Sequence, residues 1–218
     1  MVLGHNTNLS FSYYSAFQLL NINLEMIKPK DEIILSQEQI EDLAFLNKKK
    51  DYLNLEKSCR KLLLNFPHSA KLNNYLGVAL AAKGNYKEAV YAFETCLIEA
   101  KNKSRAYNNI GITFLKMEDF HKALVNFEKS LLEDSKYEEA HYNKGNALKR
   151  MGMVNEAIKS YEKALELNPN NLNAKMNISI AQKNLGEFVK SKEICKELLI
   201  LKPKWGVMHR HLSTMKKY

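Results

Sequence analysis

Glycine and proline are scarce in this chain, eight and four among 218 residues. That scarcity suits long helical runs and argues against an all-β fold, which needs turn residues every few positions. Cysteine is rarer still. Cys59, Cys96 and Cys195 are far apart, which gives no disulfide framework and no CxxC spacing for a metal. No apolar run approaches the length of a membrane span. The first residues carry no basic segment, clean apolar core or small-residue cleavage site, so no secretory signal is expected. These absences together point to a cytoplasmic compartment and no membrane.

The chemistry of common active sites is missing too. Six histidines give no HExxH, and His209 and His211, one residue apart, face different sides of a helix. No GxGxxG and no GxxxxGK phosphate loop occurs. An enzyme is not expected, and neither is a cofactor or a metal. What the chain has in excess is positive charge: 33 basic against 24 acidic residues, a net +9. That balance favours an acidic partner or a nucleic acid, without choosing between them. Hydrophobic content of 45% and charged content of 26% are ordinary for a soluble globular protein, and the length allows one domain or two.

The organising feature is a repeat. Residues 138–171 read as two short amphipathic helices joined by a tight turn, with Ala157, Tyr161 and Ala164 on one face of the second and Pro169 stopping it. The pattern recurs at a step of 34 residues. With Gly145 as position 8, the units are 36–69, 70–103, 104–137, 138–171 and 172–205. Position 8 holds Leu43, Gly77, Gly111, Gly145 and Ser179; position 20 holds Leu55, Ala89, Ala123, Ala157 and Ser191; position 24 holds Cys59, Phe93, Phe127, Tyr161 and Cys195. Small residues at 8 and 20 let two helices approach closely, and the aromatic at 24 fills the space between units. Three central units fit well and the outer two are degenerate, as terminal repeats tend to be. His141 and His209 share position 4, a packing position, and are expected in the core.

Local signals place the helix starts. Ser36 with Gln39 forms a capping-box pattern, and Asn85 with Glu88 a second. Residues 1–35 do not fit the repeat; the aromatic-rich stretch from Leu9 to Leu20 is expected to cap the first unit, with docking elsewhere as the competing reading. After Pro203, residues 204–218 predict one more amphipathic helix, with Val207, Met208, His211, Leu212 and Met215 on its apolar face, covering the last unit.

These positions resemble the tetratricopeptide repeat (TPR), from Ser36 to Pro203. The resemblance implies an all-α, right-handed solenoid of about five helix-turn-helix units whose concave face, lined by the first helices, binds partners. In that family positions 2, 5, 6, 9, 12 and 13 of the first helix tend to face the groove. Position 6 carries Asn109, Asn143 and Asn177, a possible amide ladder for the backbone of an extended peptide. It resembles the ladder in the TPR array of the glycosyltransferase that attaches N-acetylglucosamine to proteins. Asn108, Tyr142 and Asn146 flank it. Arg105, Lys116, Lys149, Arg150 and Lys183 make a basic inner stripe suited to an acidic segment. The competing reading is a solvated polar face in a chain rich in Asn and Lys. A chaperone-tail carboxylate clamp is not expected, because Asn74 and Val78 occupy positions 5 and 9.

The expected function is therefore a protein–protein interaction scaffold binding an extended, acidic peptide. The alternative is the recognition module of a larger transferase, since residues 209–213 resemble the junction where some bacterial arrays meet a sulfotransferase-like domain. Nucleic acid is not expected, because base stacking needs aromatics and only Tyr75 and Tyr142 are candidates. A homodimer through the N-terminal segment or a solenoid end is a further possibility.

Overall fold

The structure, a computed structural model, describes residues 35–215. The stretch expected to cap the array, Leu9 to Leu20, lies outside the described residues. The chain packs as two units, Met1–Glu41 and Asp42–Tyr218. Among the described residues there are eleven helices and no strand.

Ser36 and Gln39, in the first unit, cap α1 (Gln37–Lys48) reciprocally; residues 42–48 of that helix belong to the second unit. The Ser36 amide donates to Gln39 Oε1 at 2.9 Å and the Gln39 amide to Ser36 Oγ at 3.2 Å. One turn on, Gln37 Nε2 donates to Glu41 Oε1 at 2.8 Å.

The second unit carries α2 (Tyr52–Leu63), α3 (Ala70–Ala82), α4 (Tyr86–Glu99), α5 (Ser104–Lys116), α6 (Phe120–Glu133), α7 (Glu138–Arg150), α8 (Val154–Leu167), α9 (Leu172–Asn184), α10 (Phe188–Leu201) and α11 (Gly206–Ser213). Helices pack in chain order, α3 on α4, α4 on α5 and so on to α11. In addition α3 touches α5 and α5 touches α7. The first helices of successive units therefore lie side by side and form one face of an all-α solenoid.

The turn inside each unit is the same at every step. Position 15 has a positive φ: Lys50 at 59°, Gly84 at 87°, Glu118 at 61°, Gly152 at 78° and Gly186 at 81°. The next residue returns its backbone N–H five residues to the preceding helix, at 2.9–3.0 Å, as in Asp51 to Leu46, Asn85 to Leu80 and Asp119 to Phe114. That bond explains a departure from the sequence reading. The box expected of Asn85 and Glu88 is not formed, because the Asn85 amide is already held by the Leu80 carbonyl and the Asn85 side chain makes no cap bond. The Glu88 carboxylate instead accepts from Arg60 at 3.0 Å. Asp51 and Asp119 do cap their helices, accepting from the amides of Asn54 and Lys122.

The core depends on close approach at position 8. A Cβ added to Gly77, Gly111 or Gly145 would lie 2.5 Å from the ring of Phe93, Phe127 or Tyr161 respectively. Those rings are fully buried, with Ala89, Ala123 and Ala157 buried beside them, so they have no room to retreat. Tyr161 keeps its hydroxyl satisfied by donating to Asn146 Oδ1 at 2.9 Å.

The fifth unit solves the same problem with polar atoms. Ser179 Oγ donates to the Ser191 carbonyl at 3.0 Å, Ser191 Oγ donates back to the Ser179 carbonyl at 2.7 Å, and Ser179 Oγ lies 3.2 Å from Cys195 Sγ. All three residues are completely buried. In the first unit of the repeat Leu43, Leu55 and Cys59 are buried at the same positions, and burial pushes the Cys59 thiol up to about 12.

The position-4 histidines are not core residues. His141 is half-buried and His209 exposed. Each shares a hydrogen bond through Nε2 with a carbonyl six residues back, Ser135 at 2.9 Å and Pro203 at 2.6 Å. Asn73 bonds in the same way to Pro67, at 3.5 Å, and to Ser69 at 3.1 Å. A polar ring at this position follows the unpaired loop carbonyl outward rather than the apolar interior.

The last helix is shorter than expected. α11 ends at Ser213, with Met208 and Met215 fully buried against Cys195 and Leu198 and with Trp205 and Leu212 at the margin. Val207, expected on its apolar face, is 46% exposed. His211 inserts half-buried, with Nε2 3.3 Å from Ser191 Oγ. Burial, then the Ser179 backbone pulling the other way and the Lys183 charge, leave its pKa below the ordinary value.

Gly111→Ala should destabilise the protein by about 1–3 kcal/mol through overpacking, and Phe127→Leu in the same chain should recover part of that loss, as read by urea unfolding. His211 generates a second expectation. Its folded pKa is depressed, so the unfolded chain binds the extra proton first. The stability it contributes is complete above about pH 6.5, the unfolded value, and is lost as pH falls from there through its lower folded value. Fluorescence of Trp205, the chain's single tryptophan, should report loosening of α11 over that window, and His211→Gln should flatten the response.

Candidate functional site

The inner face is assembled from α3, α5, α7 and α9, and its floor is a set of amides bonded across units. Asn109 Nδ2 donates to Asn74 Oδ1 at 2.9 Å, and Asn143 Nδ2 donates to Asn108 Oδ1 at 3.1 Å. In both, position 6 of one unit reaches position 5 of the unit before it, a spacing of 35 residues. Asn108 is 1% exposed, and its Nδ2 has no partner among the described residues. Asn109 and Asn143 are half-buried, and among the described residues neither Oδ1 accepts a hydrogen bond.

Asn177 sits differently. Its Nδ2 bonds Asn146 Oδ1 at 3.2 Å and the Tyr142 hydroxyl at 3.4 Å, while its Oδ1 accepts from Lys149 Nζ at 3.0 Å. It is 5% exposed, so its amide is committed to holding α7 against α9. Tyr142 also tilts against the Tyr161 ring, centroids 5.8 Å apart.

The basic stripe divides in the same way. Burial, then the neighbouring Arg150 charge, lowers the Lys149 ammonium below the usual lysine value. Arg150 reaches Glu118 Oε1 at 3.0 Å and lies over the Phe120 ring. Lys183 donates to Thr214 Oγ1 at 2.7 Å. Arg105 and Lys116 are exposed, and among the described residues neither forms an ion pair.

A cavity of about 360 Å³ opens on this face, lined by Asn47, Lys71, Asn74, Tyr75, Val78, Arg105, Asn109, Tyr137 and Glu139. The structure thus brings Arg105 and Asn109 together in one concavity and keeps Lys149, Asn177 and Lys183 out of it. Lys71, Tyr137 and Glu139 were not singled out by sequence. Tyr137 donates to Glu139 Oε2 at 2.8 Å, and burial, then that carboxylate, push its phenol up to about 12 against the pull of Arg105. The 35-residue pairing did leave a signal, since Asn73-Asn74, Asn108-Asn109 and Tyr142-Asn143 place paired polar residues at positions 5 and 6 or just before.

Models of the tetratricopeptide repeat match residues 57–104, 104–137 and 138–171, together more than half of the chain. No curated protein sequence matches significantly. Among solved structures, a TPR protein from Parabacteroides merdae is similar with a TM-score of 0.67 at 21% identity, covering 82% of this chain and 71% of that one. MamA from Desulfovibrio magneticus gives 0.66 at 17% identity, covering 78% and 96%. YrrB, described as a TPR protein with an unusual peptide-binding site, gives 0.62 at 20% identity, covering 86% and 96%. The likeness of residues 209–213 to a transferase junction has no counterpart among the matched family models. Repeat period, helix packing and family models agree: the chain belongs to the tetratricopeptide repeat family.

Proposed function

We propose that the chain is a protein-interaction scaffold that binds an extended peptide along the inner face of α3, α5 and α7. One observation carries the reading. The two inter-unit bonds fix Asn109 and Asn143, both half-buried, and among the described residues the Oδ1 of each accepts no hydrogen bond. A primary amide so placed can accept from a peptide N–H and donate to a peptide C=O without reading side chains. Lys116, and Arg105 beside the Tyr137 hydroxyl, carry charge that favours an acidic segment over a basic one. YrrB, on a similar fold, is described as having an unusual peptide-binding site, which supports peptide binding as the use of such a fold. Asn177, saturated within the protein, acts here as an anchor between units.

The test starts from random peptides displayed on phage and selected against the whole chain, with the tightest free peptide then titrated by calorimetry. Asn109→Ala with Asn143→Ala should weaken binding about tenfold or more, since each lost hydrogen bond contributes roughly 0.5–1.5 kcal/mol. Asn177→Ala should lower thermal stability more than affinity. A double variant that binds as tightly as the parent removes the amide reading.

A further inference from the structure

The outer face of the second helices carries an apolar patch that no described residue covers. On α4, Tyr91 and Ile98 are 73% and 72% exposed; on α6, Val125 and Leu132 are 49% and 87% exposed. These are positions 22 and 29 of two consecutive units, two turns apart on each helix and so on one stripe. The buried residues of the same helices, Ala89 with Phe93 and Ala123 with Phe127, lie on the opposite stripe. At the same two positions α8 has Lys159 and Glu166, both exposed, and α2 has Lys57 at the first, so the patch has a charged border on each side. Single apolar side chains on a surface need no explanation, whereas four at matching positions of neighbouring units mark an interface.

The charges on the same stripe select the occupant. Positions 25 and 26 lie midway between 22 and 29 and hold Glu128 and Lys129 on α6, and Glu162 and Lys163 on α8. The signs alternate, so neither a uniformly acidic nor a uniformly basic surface matches them. A second copy of the stripe, turned end for end, does. Position 22 then meets 29 and position 25 meets 26. Tyr91 falls on Ile98 and Val125 on Leu132. Glu128 falls on Lys129, Lys159 on Glu166 and Glu162 on Lys163, and each contact occurs twice. Laid parallel about a two-fold axis between α4 and α6, the copies would instead set Glu94 against Glu128 and Lys57 against Lys159, which repel. At α2 the antiparallel register sets Arg60 beside Lys61, which confines the contact to α4, α6 and α8. Within the chain Glu128 reaches Lys144 at 2.9 Å and Lys163 meets Glu166, while among the described residues Lys159 and Glu162 form no ion pair.

We propose that the chain pairs with a second copy of itself through the outer face of α4, α6 and α8, antiparallel, about a two-fold axis passing between positions 25 and 26 of each helix. The apolar centre supplies the affinity, since exposed ion pairs contribute little each, and the alternating charges fix the register. The surface is separate from the amide groove, so the pairing stands or falls without the peptide reading.

Sedimentation equilibrium of the whole chain, loaded from about 1 µM to 1 mM, tests it. The parent should pass from monomer to dimer over that range. Tyr91→Glu with Leu132→Glu should weaken the dimer at least tenfold and leave far-UV circular dichroism unchanged, because both side chains are exposed. Lys159→Glu sets like charges against Glu166 of the other copy and should weaken the dimer about tenfold. Adding Glu166→Lys restores the pair with its signs exchanged and should recover most of that loss. A chain that stays monomeric at every loading, or a dimer unmoved by the two glutamates, overturns the proposal. So does an exchanged pair no better than Lys159→Glu alone, since the register is what selects a second copy. Should the two-glutamate variant lose its helical signal, the charge exchange at two exposed polar positions decides alone.

Discussion

Everything in this array hangs on how closely two helices can approach at one point in each unit. At Gly77, Gly111 and Gly145 a buried ring edge occupies the space where a Cβ would sit. That contact sets the separation of the two helices, and the separation sets where the ring meets the next unit. Tyr161 packs against Ala174 and Ile178 of α9 as well as against its own glycine. Repeating the step of 34 residues then propagates one geometry along the chain, since each unit contacts only its neighbours. The tight turn contributes the other constraint, a left-handed residue at position 15 in all five units, filled by glycine in three and by Lys50 and Glu118 in two.

On that scaffold the polar residues of the inner face have separated into two kinds. Some are spent on holding the units together. Asn177, Asn146, Tyr142 and Lys149 form one connected network between α7, α8 and α9, closed at the far side by the Tyr161 hydroxyl. Such a network stabilises only when its members are satisfied, and here they are. Others remain available. Asn109 and Asn143 are half-buried with an Oδ1 that accepts no hydrogen bond among the described residues, and Arg105 and Lys116 are exposed. The difference comes from the neighbours rather than the residue type, because the same asparagine at position 6 is half-buried in α5 and α7 and closed over in α9.

Much of this was legible before any coordinates. The period of 34, the helices and the small-to-large pairing of positions 8 and 24 follow from residue volume and helical spacing. The degenerate fifth unit was legible only as a departure. Ser179, Ser191 and Cys195 read as weak matches, whereas in three dimensions they form a bonded substitute for the glycine, alanine and ring of the central units. The position-4 histidines were misread because spacing assigns a face, while the loop carbonyl that draws His209 outward belongs to a different element. The proposed site was legible by position and not by availability. Sequence marks Asn109 and Asn177 as equivalent, and only the partner atoms around each show that Asn109 makes one side-chain bond while Asn177 makes three. Lys71 and Tyr137 went unmarked because the groove cavity they line joins residues from four helices and a loop.

The central claim is that positions 8, 20 and 24 act as one volume, solved by different residues in different units. The most direct measurement is the unfolding free energy of two variants of the fifth unit. Cys195→Phe alone places a ring against Ser179 and should destabilise by about 1–3 kcal/mol. Adding Ser179→Gly and Ser191→Ala installs the set found in the central units and should return stability to within about 1 kcal/mol of the parent, given the modest cost of a helical glycine. If the triple variant is as unstable as Cys195→Phe alone, the three positions are not coupled and the account of the repeat is wrong.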